Sequence, residues 1–351
     1  MHGHSLYRKI VTDETGVWAS PVRGMLWAAS GVYGRAIALR NAWYDRKGSA
    51  TRLPVPVISA GNLTVGGTGK TPFVMDLVRR LDALGFSPAV IARGYGASPG
   101  ELNDEQQLIQ KNCPGVVCVS DPDRVRAGEA ACQQFGADVL VLDDGFQHRR
   151  LARDLDIVLV DATCPFGYGH VLPRGLLREP ETGLRRAHVV VLTRCDQASR
   201  TELARIEARQ RELAPDALRL KCNHRVTAIE RLDGTLLPEG LDHKRVVLFA
   251  GIAQPQSFLT TVSSLGADIV AARWFPDHYG YTLRSLQSLL HAARFPPHDF
   301  LVTTEKDAMK LTELRGVDTS NIVVVRVAID FVGDDGTMLQ ALLEQRFPRR
   351  S

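Results

Sequence analysis

The sequence predicts an α/β protein: a doubly wound, mostly parallel sheet followed by a second, smaller α/β domain. Short apolar runs recur at residues 55–60, 88–92, 116–120, 139–142, 157–160 and 189–192, with stretches of helical periodicity between them. The runs are continuous rather than alternating, as strands covered on both faces are. Strands that alternate with helices build parallel sheets with right-handed crossovers. The length of 351 residues leaves room for two domains, and 44% hydrophobic with 23% charged residues is ordinary for a globular chain.

The first element, residues 17–44, holds Trp18, Trp27 and Trp43, three of the four tryptophans, with Tyr33 and Tyr44. Its uncharged centre, 24–34, is flanked by Arg23, Arg35 and Arg40. Aromatics and arginines around a short apolar stretch suit a helix lying in a membrane interface. A helix docked on the protein's own core reads equally well. Pro21, Gly24, Gly31 and Gly34 weaken a single long helix. No stretch reaches the roughly 18–20 apolar residues that span a bilayer, and no apolar signal-peptide core follows Met1.

The run 55–60 leads into Gly66-Gly67-Thr68-Gly69-Lys70-Thr71, and an amphipathic stretch, 73–81, follows. Strand, glycine turn and helix is the setting of a phosphate-binding loop. Glycines let successive N–H groups face phosphate oxygens, and the helix start adds its positive end. In such loops the residue at Lys70 reaches the β- and γ-phosphates and the hydroxyl at Thr71 sits on Mg²⁺. The generic first glycine is replaced by Thr64. Farther on, 139–142 ends in Asp143-Asp144, the form of a Walker B strand whose carboxylates hold Mg²⁺. Val65 stands where partitioning ATPases carry a lysine, and Thr193-Arg194-Cys195-Asp196 only loosely resembles the Asn/Thr-Lys-x-Asp of GTPases. A nucleotide-switched GTPase or metallochaperone therefore stands as the alternative reading.

From 197 to 219 the chain is polar and helical. A hairpin-like piece with a turn at Asp233-Gly234 follows, and strands resume at 246–249, 268–272, 300–304 and 322–327. The boundaries are an N-terminal segment 1–50, a phosphate-loop domain 51–221, a linker 222–243 and a C-terminal α/β domain 244–351. Net charge of +4 suits anionic small molecules or a lipid surface and is too weak to argue for nucleic acid. Six scattered cysteines without a CxxC pair favour neither a zinc site nor a disulfide framework. Taken singly, Arg174 and Arg178 read as surface residues, His278 as a satisfied polar residue, and Lys306-Asp307 as a solvated pair.

Taken together, the motifs resemble the tetraacyldisaccharide 4'-kinase (lipid A 4'-kinase) family over nearly the whole chain, from Leu26 to about Asp330. The resemblance rests on Ser59-Ala60-Gly61-Asn62-Leu63 ahead of the glycine loop, Arg93-Gly94-Tyr95-Gly96, Ser120-Asp121-Pro122-Asp123-Arg124 and Asp143-Asp144-Gly145-Phe146-Gln147-His148. Leu176-Leu177-Arg178-Glu179-Pro180, Gly251-Ile252-Ala253, Asp277-His278 and Thr304-Glu305-Lys306-Asp307 complete it. It implies a P-loop domain joined to the smaller domain by a two-stranded linker, with the site between them. It implies transfer of the ATP γ-phosphate to the 4'-hydroxyl of a tetraacylated glucosamine disaccharide 1-phosphate, giving lipid IVA. The place implied is the cytoplasmic face of the bacterial inner membrane, with an N-terminal helix against the bilayer. By the same resemblance, Lys70 and Thr71 attend phosphate and Mg²⁺, Asp143, Asp144 and Glu179 the metal, and Arg178 the phosphates. Asp104 is the expected general base, His278 its support, and Gln147, His148 and Arg124 further nucleotide-site positions. The loop before Asp104 is short, and Asn103 replaces the family's usual glycine, a turn asparagine tolerates because it accepts left-handed angles.

Overall fold

The structure is a computed structural model that describes residues 10–11, 20–47, 50–94, 101–292, 297–312, 314, 316 and 318–348. These residues form two compact units. The larger takes in the chain before residue 224 and after 328, and the smaller holds residues 224–328.

In the larger unit, strands β1 (Val57–Asn62), β2 (Pro88–Ala92), β3 (Val117–Ser120), β4 (Val139–Asp143), β5 (Leu155–Asp161), β6 (Val189–Thr193) and the start of β7 (Leu218–Arg231) form a sheet. Their order is β3-β2-β4-β1-β5-β6-β7, and the pairings along this row are parallel. Both faces are covered, which is why the strands read as unbroken apolar runs. Along β4, Val139 and Val141 pack into one core cluster while Leu140 and Leu142 pack into another on the opposite face. In β5, Ile157 and Leu159 join the first cluster and Val158 and Val160 a third.

Helices α1 (Ser20–Lys47), α2 (Lys70–Ala83), α3 (Asp104–Asn112), α4 (Arg124–Phe135) and α5 (Arg200–Leu213) belong to this unit. The chain leaves β1 towards one edge of the sheet and later crosses to β5 on the other side of β1. Ligands of open α/β sheets gather at the carboxyl ends of strands beside such a switch point.

The predicted weakness of α1 is not seen: it is one helix of 28 residues. Pro21 sits in its first turn, where its missing N–H costs nothing. The glycine penalties are offset by tertiary anchors. Ser30 Oγ donates to Val171 O and accepts from Arg174 N, and Tyr33 Oη donates to Arg178 O at 2.8 Å. Asn41 Nδ2 reaches Glu179 Oε2 at 3.2 Å. Outward, Met25, Trp27, Val32 and Leu39 are each more than 60% exposed. Among the described residues no helix is long and apolar enough to cross a membrane.

The smaller unit orders β11 (Ile322–Phe331), β10 (Phe300–Thr304), β8 (Arg245–Ala250) and β9 (Asp268–Trp274) side by side, with parallel pairing. Helices α6 (Pro255–Ser263), α7 (Leu283–Ala292) and α8 (Glu305–Leu311) complete it. Val246, Leu248 and Ala250 face one cluster, and Val247 and Phe249 the other.

Two expectations about organisation change. The predicted linker at 222–243 is the second half of the long strand β7 plus a turn closed by Arg231 N→Thr235 O at 2.7 Å. β11, the neighbour of β7 in the sheet order, likewise crosses from the smaller unit to the larger after residue 328, whereas the sequence places it wholly in the smaller domain. The last helix, α9 (Asp335–Arg346), goes with the larger unit rather than the smaller. Its Leu339 and Leu343, with Phe347, are buried in the same cluster as Phe73, Leu77 and Leu81 of α2.

Candidate active site

The carboxyl ends of β1 and β4 present the groups singled out in the sequence. Gly61 has no room for a side chain, since a Cβ there would stand 2.7 Å from Phe146 Cβ. That close approach lays Asn62 and the glycine loop beside the segment that follows β4. Gly69 adopts φ 82°, left-handed, as the residue preceding α2. No side chain caps that helix start and no acid lies in its first turn. Its leading N–H groups, with the positive end of the helix, therefore face outward for an anion. The near side of the loop is fixed by Val65 N→Leu176 O at 2.8 Å and Arg178 N→Leu63 O at 2.7 Å.

Lys70, Asp144 and Arg178 come together as expected. Lys70 Nζ lies 3.4 Å from both Asn62 Oδ1 and Asp144 Oδ1. Arg178 Nη1 donates to Asp144 Oδ2 at 2.7 Å. Burial alone would raise the Asp144 carboxyl, but Lys70 and Arg178 outweigh it and hold the group down at about 2. Asp144 also takes a left-handed φ of 55°, uncommon for a non-glycine residue and frequent at functional sites. Its neighbour Asp143 is pushed the other way, up to about 7, by burial first and then by the charge of Glu105. Asp143 Oδ1 is buried and accepts no hydrogen bond from the described residues, and the buried Asp144 Oδ1 has only the long 3.4 Å ion pair with Lys70. Buried acceptors of that kind call for an outside donor or a cation.

Asp104 opens α3, next to Glu105, whose charge acts on Asp143. Asn103 serves differently from the expectation. It is extended, φ −74° and ψ 169°, and caps α3 by accepting from Gln106 N, with Gln106 capping back. An N-cap, not a left-handed turn, is what selects asparagine here. The short loop before it, 97–102, lies partly outside the described residues, as do Tyr95 and Gly96.

Gln147 donates to Asn62 O at 2.8 Å and to Glu179 Oε1 at 3.0 Å, and its own Oε1 is buried without a donor among the described residues. His148 is held down at about 4 by burial and then by the Arg124 and Arg153 charges, so it is neutral near pH 7. Its Nε2, and Nε of the buried Arg124, have no hydrogen-bond partner among the described residues. The guanidinium of Arg124 is otherwise turned to the carbonyls of Asp121 and Pro122.

Glu179, expected among the metal ligands, is engaged with side chains. It is fully buried, and both oxygens are engaged. Arg186 bonds both at 2.8 and 2.9 Å, Gln147 takes Oε1 and Asn41 takes Oε2. The carboxylate is the hub that ties Gln147 and α1 to the Arg178 segment.

His278 belongs to the smaller unit. Its backbone is left-handed at φ 58°, its N–H meets Gly251 O at 3.2 Å, and its Nε2 stands 3.3 Å from Lys306 Nζ. Lys306-Asp307 is not a solvated pair. Asp307 is fully buried and accepts from Gly251 N, Tyr281 Oη at 3.2 Å and Thr304 Oγ1 at 2.7 Å. It thereby fixes the turn that carries His278. Asn62, Glu105, Tyr33, Asn41 and Arg186 were missed as contributors, because only the fold brings them to the loop. Asn62 alone had a signal, its place directly ahead of the glycine turn.

A glycine loop at an open helix start, with a lysine leaning on a carboxylate at the next strand's tip, defines the class as P-loop nucleotide-binding proteins. Within that class, residues 22–347 match the family model for tetraacyldisaccharide-1-P 4'-kinase. The tetraacyldisaccharide 4'-kinase of Anaeromyxobacter sp. (strain Fw109-5) is 41% identical over 350 residues, 92% of this chain and 93% of that protein. That of Geobacter sulfurreducens is 40% identical over 327 residues, 87% and 89% of the two chains. The crystal structure of LpxK from Aquifex aeolicus, an "apo" form in complex with ATP, superposes with a TM-score of 0.69 at 30% identity. That superposition covers 93% of this chain and 99% of the other. The chain belongs to the tetraacyldisaccharide 4'-kinase family.

Proposed function

We propose that the chain transfers the γ-phosphate of ATP to the 4'-hydroxyl of tetraacyldisaccharide 1-phosphate, giving lipid IVA. The observation that carries this reading is the Lys70–Asp144–Arg178 cluster at the mouth of the glycine loop, in a chain that matches the kinase family over 22–347. Without substrate, the two cations rest on Asp144. An entering triphosphate offers them a more highly charged partner, and Lys70 then supports the β- and γ-phosphates while Arg178 neutralises charge on the transferring group.

Asp143, Asp144 and the Thr71 hydroxyl would hold Mg²⁺, and the buried Asp143 Oδ1, which has no donor among the described residues, fits that ion. When bound, the metal neutralises phosphate charge. Among the described residues no three His, Cys, Asp or Glu side chains form a ready-made cage. A metal that takes most of its oxygens from phosphate and water needs none.

Asp104 is the proposed base. As the acceptor oxygen forms its bond to phosphorus, the 4'-hydroxyl proton passes to the Asp104 carboxylate, and the bond from phosphorus to the β–γ bridging oxygen breaks to release ADP. His278 is proposed to support this step. The buried, unpartnered nitrogens of Arg124 and His148, and Gln147 Oε1, are the proposed polar contacts for bound substrate. The exposed apolar side chains of α1 are proposed to rest in the interface of the cytoplasmic leaflet of the inner membrane, bringing the acyl chains to the site.

The test is transfer from γ-labelled ATP, with Mg²⁺ and detergent, to tetraacyldisaccharide 1-phosphate, run beside GTP and a lipid-free blank. Label in lipid, dependent on acceptor and favouring ATP, is expected. Hydrolysis favouring GTP without lipid labelling would sink the reading. The GTPase alternative is not favoured by the placement of Thr193-Arg194, whose side chains turn to the phosphate loop itself.

A further inference from the structure

The phosphate loop is gripped from β6 as well as from the Arg178 segment. Thr193 Oγ1 donates to Thr68 O at 3.0 Å, and Arg194 Nη1 donates to Gly67 O at 3.0 Å. Both residues are buried. The Arg194 guanidinium is paired with buried Asp161, whose Oδ1 is held by Thr163 N and Oγ1 at 2.9 and 2.7 Å. Arg194 occupies left-handed backbone space, φ 56° and ψ 41°, which a long side chain adopts only when its surroundings insist.

In a trans peptide the C=O and the following N–H point in opposite directions. Holding Gly67 O towards β6 therefore turns Thr68 N–H away from it, and holding Thr68 O does the same for Gly69 N–H. Two successive N–H groups are thus aimed to one side, the arrangement that receives an anion. We propose that Thr193 and Arg194 are positioning residues that preset the 67–68 and 68–69 peptides for the triphosphate. Neither acts on the nucleotide directly; each acts through a loop carbonyl. The inference rests on ATP being the phosphate donor.

Without the Thr193 hydroxyl, Thr68 O loses its donor and the 68–69 peptide must be ordered during binding, which weakens affinity. Calorimetric titration with ATP and Mg²⁺, lipid omitted, should give a Kd for Thr193→Val about tenfold above wild type, or about 1.4 kcal/mol. Thr193→Ser should restore wild-type binding. In the transfer assay the KM for ATP should rise while the KM for the lipid acceptor stays unchanged, a split that general loosening of the fold would not produce. Arg194→Lys keeps a cation for Asp161 but loses the planar fork, and it should shift ATP affinity in the same direction. Wild-type ATP affinity in folded Thr193→Val or in folded Arg194→Lys overturns the brace, as does a Thr193→Ser that binds ATP as weakly as Thr193→Val. A wild type that binds GTP and not ATP overturns the kinase reading, and the brace with it.

Discussion

Two strand ends of this molecule look alike in sequence and differ in chemistry. β4 ends in Asp143-Asp144, and β10 runs into Glu305-Lys306-Asp307. At the first, Asp143 keeps one buried oxygen without a hydrogen-bond donor among the described residues, and Asp144 is held only by the two cations Lys70 and Arg178. At the second, Asp307 is filled by a backbone N–H, a tyrosine and a threonine hydroxyl. Glu179 is of the second kind, saturated by Arg186, Gln147 and Asn41. A buried acid with idle oxygens awaits a ligand, whereas one with filled oxygens holds the fold together.

Substitutions can break this contrast. The largest effect is expected at the Asp143-Asp144 end. Asp144→Asn keeps the shape and removes the charge shared by Lys70 and Arg178, so kcat for phosphate transfer should fall about 10²–10³-fold. Thermal unfolding is run beside it to show that the variant is folded, because Lys70 and Arg178 lose their shared counter-charge. A variant with near-normal turnover would mean that Asp144 is no part of the machinery. Asp307→Ala should do the reverse. Leaving Gly251 N and Tyr281 Oη without an acceptor should cost about 3 kcal/mol in denaturant unfolding, while ATP affinity stays within error. Loss of ATP binding with unchanged stability would erase the distinction.

Asp104→Ala sharpens the account of the base: strong loss of kcat with ATP binding nearly intact is expected, and unchanged turnover would remove Asp104 from that role. The smallest effect is a pH dependence. His148 has its folded pKa lowered to about 4 by burial and neighbouring arginines, against an ordinary value of about 6.5. The fold therefore prefers neutral His148, and that stability is fully present above about pH 6.5 and is lost as pH falls towards 4. Stability measured across this window should decline less steeply in His148→Gln. Identical slopes would mean that another group carries the acid sensitivity.

The sheet was legible because parallel strands covered on both faces must be largely apolar, and β2, β4 up to Leu142, the centre of β5 and β6 up to Leu192 are unbroken apolar runs. The loop was legible because Gly66, Gly69 and Lys70 meet local backbone and charge requirements. Glu179 was not, because a carboxylate's partners come from Asn41, Gln147 and Arg186, distant in the chain, and no local pattern encodes which acid they will saturate. Asp307 failed for the same reason: beside Lys306 it looks solvated until Tyr281 and Gly251 close over it. Asn103 was read by its tolerance of left-handed angles when its side-chain oxygen, as an N-cap, decided. The return of the chain through β11 and α9 depends on which apolar face finds a partner, and Leu339 and Leu343 carry no mark of their destination.

The most direct test of the central claim compares Mg²⁺ titrations of phosphate transfer for Asp143→Asn and Glu179→Gln, at a temperature where both are folded. Asp143→Asn should need far more Mg²⁺, or fail at every concentration. Glu179→Gln should keep the wild-type Mg²⁺ midpoint, with its damage confined to stability. A shifted midpoint in Glu179→Gln beside a normal one in Asp143→Asn would contradict the account.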